Sequence, residues 1–227
     1  MEKQHRYILL CIIAFLAFSL VAIVSAVLFT YHSIDKETRE ILNGYTDDPA
    51  TVCLFVTQKE GSQATARLFV KRNGRWHFER KTKAHIGFNG VGKEREGDKR
   101  TPLGELRVTG AFGILPDPGT QLKYIEAHRQ HFACDCPGSP YYYTIIDVDT
   151  LSIQHTCAGE HIVDAAPSYN YGLMTSYNAE CIPGLGSNIF VHCFGTKEYT
   201  AGCIAVSERF MRHLVQIADS NTIIYIR

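Results

Sequence analysis

The chain has 227 residues and a mass of 25.5 kDa, room for one globular domain and a short appendage, with enough apolar content for a core. Its 23 Lys and Arg balance 23 Asp and Glu, so no basic footprint for a polyanion exists, and nucleic acid is not an expected partner.

The first predicted element is the run 8–29, ILLCIIAFLAFSLVAIVSAVLF, which carries no charged residue and is long enough at helical rise to span a membrane. Lys3 and Arg6 precede it, favouring a short cytoplasmic tail over 1–7, a signal anchor over 8–29 and an extracytoplasmic remainder of a single-pass cell-membrane protein. A cleaved signal peptide is the rival reading, since Val24-Ser25-Ala26 offers small residues, but the apolar run is longer than most signal cores. Leu10 before Cys11 is too bulky for a lipoprotein site.

Residues 30–49 are polar and read as a stalk or a short helix ending near Asn43-Gly44, leaving 50–227 as the globular domain. TVCLFVTQ is a β-branched apolar strand, and the alternation on both sides of Asn73-Gly74 predicts a hairpin. The glycine-rich and charged stretch from Gly87 to Gly113 contains Thr101-Pro102-Leu103-Gly104, a tight turn in which Pro presets φ and Gly accepts positive φ. A strand from Glu105 to Thr109 follows, and Glu96, Asp98, Lys99 and Arg100 read most simply as a solvated loop. YYYTIIDVD and SNIFVHCF look like strands, the second largely buried. SERFMRHLVQIAD is an amphipathic helix with Ser207 as N-cap, and TIIYIR closes the chain as a strand.

Of the eight cysteines, all but Cys11 lie beyond the apolar run. That odd number leaves at least one thiol unpaired even if the other six form three disulfides, whose pairing has 15 possibilities. His128, His131, Cys134 and Cys136 lie within nine residues, and His155 and Cys157 follow, a set that suits zinc by ligand type. The spacing does not suit it, because no C-x-x-C occurs, so disulfides or reduced, half-buried cysteines are the better reading.

A cysteine acts as a nucleophile as thiolate, which requires partial exposure, positive local potential and a base in reach. Cys203 follows Gly202 on the turn before the capped helix, where free N–H groups are expected to lower its pKa and hold an oxyanion. His192 ends the buried strand upstream. Strand alternation turns His192 and Cys193 to opposite faces, which makes Cys203 and not Cys193 its partner. The plain alternatives are a small core cysteine and a satisfied core histidine.

GVGKEREGDKRTPLGELRVTGAFG, PGLGSNIFVHCF and TAGCIAVS, in that order, resemble the L,D-transpeptidase catalytic domain of the YkuD type over most of Ala64 to Arg227. The resemblance implies a mainly β fold, a sandwich or half-barrel with a C-terminal helix, and acyl transfer on peptidoglycan stem peptides without metal or organic cofactor. It implies Cys203 as nucleophile and His192 as general base, with Gly202, Ala201, Thr200 and Gly195 around the oxyanion and substrate. An L,D-carboxypeptidase using the same pair, or a wall-binding module with an inert Cys203, are the alternatives. Ala205 stands where many members carry Arg, the separation of His192 from Cys203 is short, and Cys193 replaces the usual small residue, which points to a backbone carbonyl near Gly195 as the group orienting His192.

Overall fold

The computed structural model describes residues 12–13, 15–21, 34–151 and 159–227. Most of the apolar run 8–29 therefore lies outside the described residues, as do His155 and Cys157. Residues 15–21 are helical with Phe15, Leu16 and Phe18 exposed, and among the described residues no helix is long and apolar enough to cross a membrane.

Helix α1, Lys36–Asn43, is started by Asp35, whose carboxylate accepts the Thr38 N–H at 2.9 Å, and ends at Gly44. Strand β1 is Val52–Glu60, and β2, Gln63–Arg72, turns into β3, Arg75–His85, through Asn73 and Gly74 at φ 50° and 72°. Both φ values are positive, as the expected tight hairpin demands. After the Thr101–Gly104 turn, β4 runs over Gly104–Gly113, longer than the segment expected from sequence.

Strand β5, Tyr124–Glu126, leads into a lobe built on β6, His131–Ala133, β7, Ile145–Asp147, and β8, Glu160–His161, in the order β7-β6-β8. The predicted strand over YYYTIIDVD is realised only at Ile145–Asp147, and Val148–Thr150 is a short 3-10 helix. Tyr141–Thr144 forms a turn, with Tyr143 at φ 69° and the Tyr143 hydroxyl donating to Thr175 O at 2.6 Å. Strands β9, Gly172–Thr175, β10, Phe190–Cys193, and β11, Ile204–Val206, then precede α2, Glu208–Ile217, and β12, Ile223–Ile226.

The main sheet has the order β12-β1-β2-β3-β11-β10-β9-β4-β5, and β12 also pairs with β4, so the sheet curls back on itself as a barrel. The architecture is thus mainly β with a C-terminal helix, as expected. Alternation along β1 explains its unbroken burial: Val52, Leu54 and Val56 enter the central core, while Cys53 and Phe55 meet Leu42 of α1 on the other face. The polar segment read as a stalk or short helix is therefore a helix packed onto the sheet. Arg107 holds the following loop through a bidentate pair with Asp48, at 2.8 and 3.0 Å.

Helix α2 buries Phe210, Met211, Leu214 and Val215, the stripe expected from its periodicity, although Ser207 makes no side-chain capping bond. Leu214 is fully buried. Leu214→Ala is expected to cost about 2–5 kcal/mol, measured as a lower urea midpoint at unchanged slope.

Candidate active site

Three segments meet around Cys203. The Thr200 N–H donates to Ile86 O at 2.9 Å and the Phe88 N–H to Thr200 O at 3.0 Å, which stitches the 200–203 turn to the end of β3. The buried Thr101 hydroxyl accepts the Gly87 N–H at 2.9 Å and donates to Cys203 O at 3.3 Å, while the Thr200 hydroxyl donates to the same carbonyl at 2.7 Å. Gly202 sits at φ 149°, and a Cβ there would lie 2.9 Å from both Arg100 O and Ile189 Cδ1, so only glycine fits.

The Cys203 thiol donates to Asn188 O and accepts the Phe190 N–H, each at 3.3 Å. His192 lies on the adjacent strand. Its register partner across the β10–β11 ladder is Ala205, two residues beyond Cys203, so alternation turns both side chains to one face. They line one cleft of about 430 Å³, together with Gly195, Thr200, Ala201 and Gly202. Cys193 points the other way, into the core, as the alternation predicts.

His192 Nδ1 lies 2.7 Å from Cys193 O, and since a carbonyl only accepts, Nδ1 carries the proton and Nε2 the lone pair. The orienting carbonyl is that of Cys193 itself and not one near Gly195, whose Cα packs against Ser168 Oγ so closely that a Cβ would collide. Burial lowers the His192 pKa to about 4 against the opposing effect of the Cys193 carbonyl.

The thiol does not have the lowered pKa expected from a helix N-terminus. Strand β11 separates Cys203 from α2, so the helix N–H groups do not reach it. Burial instead pushes the thiol up to about 12, opposed by the Phe190 N–H and by Lys93. At neutral pH the resting pair is therefore thiol and neutral imidazole. The Gly202 N–H, expected at the oxyanion, donates to Thr200 Oγ1 at 3.1 Å.

Other cleft residues carry no signal in the sequence. Tyr169 meets the His192 ring edge to face at 5.3 Å and donates its hydroxyl to Glu160 at 2.7 Å. Burial raises the Glu160 pKa, partly offset by that hydrogen bond. Both residues come from the segment around the lobe, where no motif marks them. Ala205 leaves its side of the cleft without a guanidinium, and Lys93, Lys197, Glu96, Asp135 and Glu160 are its charged lining residues.

The charged loop is ordered by one carboxylate and is not merely solvated. Asp98 accepts the N–H groups of Glu94, Arg95 and Arg100 at 2.7–3.0 Å and pairs with Lys93 Nζ at 3.1 Å, both side chains nearly buried. Glu96 Oε2 then accepts the Ser187 N–H at 3.1 Å, tying the loop to the segment before β10.

The family model of the L,D-transpeptidase catalytic domain, YkuD, matches residues 60–226. Among solved structures, the chain is similar to the helical cell-shape-determining protein Pgp2 from Campylobacter jejuni, with 15% identity and a TM-score of 0.44 over 78% of this chain and 47% of that one. It is also similar to Bd1075 from Bdellovibrio bacteriovorus, with 15% identity and a TM-score of 0.41 over 78% of this chain and 48% of that one. The chain thus covers about half the length of these structures. No curated protein matches it.

Burial raises the Asp98 carboxyl, but the three N–H donors and Lys93 outweigh it and hold the group well below the ordinary carboxylate range. A depressed pKa contributes stability that is present above the unfolded value and lost as pH falls toward the folded one. Asp98→Asn is expected to cost about 1–3 kcal/mol at neutral pH, a deficit that shrinks below about pH 4 in denaturation curves taken against pH.

Proposed function

The chain belongs to the YkuD family of L,D-transpeptidase catalytic domains, and on that premise we propose that it is a cysteine acyltransferase acting on peptidoglycan stem peptides. One observation carries the reading: a free, partly exposed thiol and an imidazole with its Nε2 lone pair available line the same cleft.

In the proposed reaction His192 Nε2 takes the Cys203 proton as sulfur attacks the carbonyl of the third residue of a stem tetrapeptide. The N–H groups of the 201–203 turn receive the oxyanion, Gly202 releasing Thr200 Oγ1 as charge develops. His192 then passes the proton to the departing amine, D-alanine leaves, and a thioester remains. An amine of a second stem attacks that thioester, regenerating the thiol and giving a cross-link. Lys197 provides positive charge for the substrate's carboxylates in place of the guanidinium that Ala205 lacks, since Lys93 is paired with Asp98.

Because the resting pair is neutral, the base is ready without a preformed thiolate, and the proton moves only when a carbonyl is present to accept the sulfur. Anchorage through 8–29, with the domain outside the membrane, puts the cleft beside its substrate. The charge-free apolar run 8–29 of the sequence is what motivates that location.

Cys203→Ser is expected to abolish turnover without unfolding the domain. Mass spectrometry of stem tetrapeptide incubated with and without an amine acceptor reads the reaction: cross-linked dimer supports acyl transfer to amine. Shortened peptide alone identifies a carboxypeptidase, and no product under either condition overturns the enzymatic reading. The pH dependence is separate. With His192 titrating at about 4, kcat/KM should hold its plateau through neutral pH and fall only as the ring is protonated near that value. An acid limb centred near 6.5 would show that the base is not the buried ring.

A further inference from the structure

The lobe beside the cleft holds a cluster of ligating side chains that acyl transfer does not use. His128 follows β5, His131 opens β6, and Asp147 closes β7 directly across the ladder from His131. One ligand atom from each lies within 4.8 Å of the other two, the only such His/Cys/Asp/Glu group among the described residues. The sequence suggested zinc ligands here, but with Cys134 and Cys136. The fold leaves those two aside, since Cys136 is disulfide-bonded, and substitutes Asp147.

The scaffold under these groups is built without any ion. The His131 N–H donates to His128 O, and the Val148 N–H to Gln130 O, each at 3.0 Å. Gln130 Nε2 donates to both Asp149 carboxylate oxygens at 2.9 Å, so the loop is tied to the end of β7. Asp147 Oδ1 accepts the Asp149 N–H at 3.1 Å, which fixes the carboxylate and leaves Oδ2 directed at His128 Nε2, 3.8 Å away. That separation is too long for a hydrogen bond. The two imidazoles lie edge to face with centroids 4.1 Å apart.

A second imidazole adds nothing to a His–Asp ion pair, because two protonated rings this close repel. Two imidazole nitrogens and one carboxylate oxygen suit a borderline divalent ion such as zinc, whereas magnesium and calcium take oxygen ligands. His131 Nδ1 accepts the His128 N–H at 3.1 Å, which fixes the ring against the loop backbone. The His128 side chain is 59% exposed, so water can complete the coordination sphere from solvent.

We propose that His128, His131 and Asp147 form a zinc site on this lobe, apart from the Cys203 cleft. Its ion clamps the β5–β6 loop to β7, next to the stretch that brings Asp135 to the cleft wall. The site is independent of the acyl-transfer chemistry and stands or falls separately.

Zinc is titrated calorimetrically into the purified protein and into a Cys181→Ser/Cys203→Ser variant, which removes the free thiols that are not buried among the described residues. One equivalent should bind both proteins, with Kd about 10 µM or tighter. His128→Ala, at an exposed position, and the isosteric Asp147→Asn should each weaken binding at least about fivefold in the double-serine background, while circular dichroism shows the fold unchanged. Absence of one-equivalent binding in the double-serine variant, or less than that weakening in either substitution, overturns the site.

Discussion

The Cys203 carbonyl, held by two threonine hydroxyls, is the contact on which the cleft depends. Thr200 and Thr101, far apart in sequence, converge on one oxygen, and Thr101 simultaneously satisfies the Gly87 amide. Removing either hydroxyl from this buried place would leave polar groups short of partners, which costs more than the bond itself is worth. Once the carbonyl is pinned, the backbone at Gly202 has one conformation open to it and the sulfur is directed toward the cleft. His192 needs no loop to bring it there, because the parallel ladder between β10 and β11 fixes its distance along the sheet. The Thr-Pro-x-Gly turn and the Gly-Cys turn, far apart in sequence, are thus two halves of one support.

Electrostatics gives that support its chemical character. The ring and the thiol sit where charge is disfavoured, so both are neutral at rest. The Tyr169 hydroxyl on Glu160 keeps a second acidic group occupied close to the ring. A thiol held in the protonated form is also a slow target for oxidants, which react with thiolate.

Much of this was legible in the residues. Asn73-Gly74 announced its hairpin, the periodicity after Ser207 its helix, and alternation through Phe190–Cys193 separated His192 from Cys193. The failures have physical causes. Tyr141–Thr144 has the composition of a strand, yet Tyr143 takes a positive φ and spends its hydroxyl on β9, a long-range bond invisible locally. The thiol was expected to be acidic because the helix follows closely in sequence, but three strand residues are enough to move the helix terminus out of range. Asp98 looked solvated because its partners are backbone amides, which composition does not reveal. Glu160 and Tyr169 enter the cleft only through the folding of the lobe, and nothing at their positions distinguishes them from ordinary polar and aromatic residues.

The packing of α1 on the outer face of the sheet bears on how shorter forms of this protein should be designed. Arg227, at the C-terminal end, pairs with Asp35 at 3.0 Å and with Glu37, so both ends of the globular fold are fastened to each other through this helix. Starting the polypeptide at the first strand would cut that fastening and strip the cover from Phe55, Phe69 and Ile223. The uncovered aromatic surface would invite self-association, so a soluble fragment should begin ahead of Ile34.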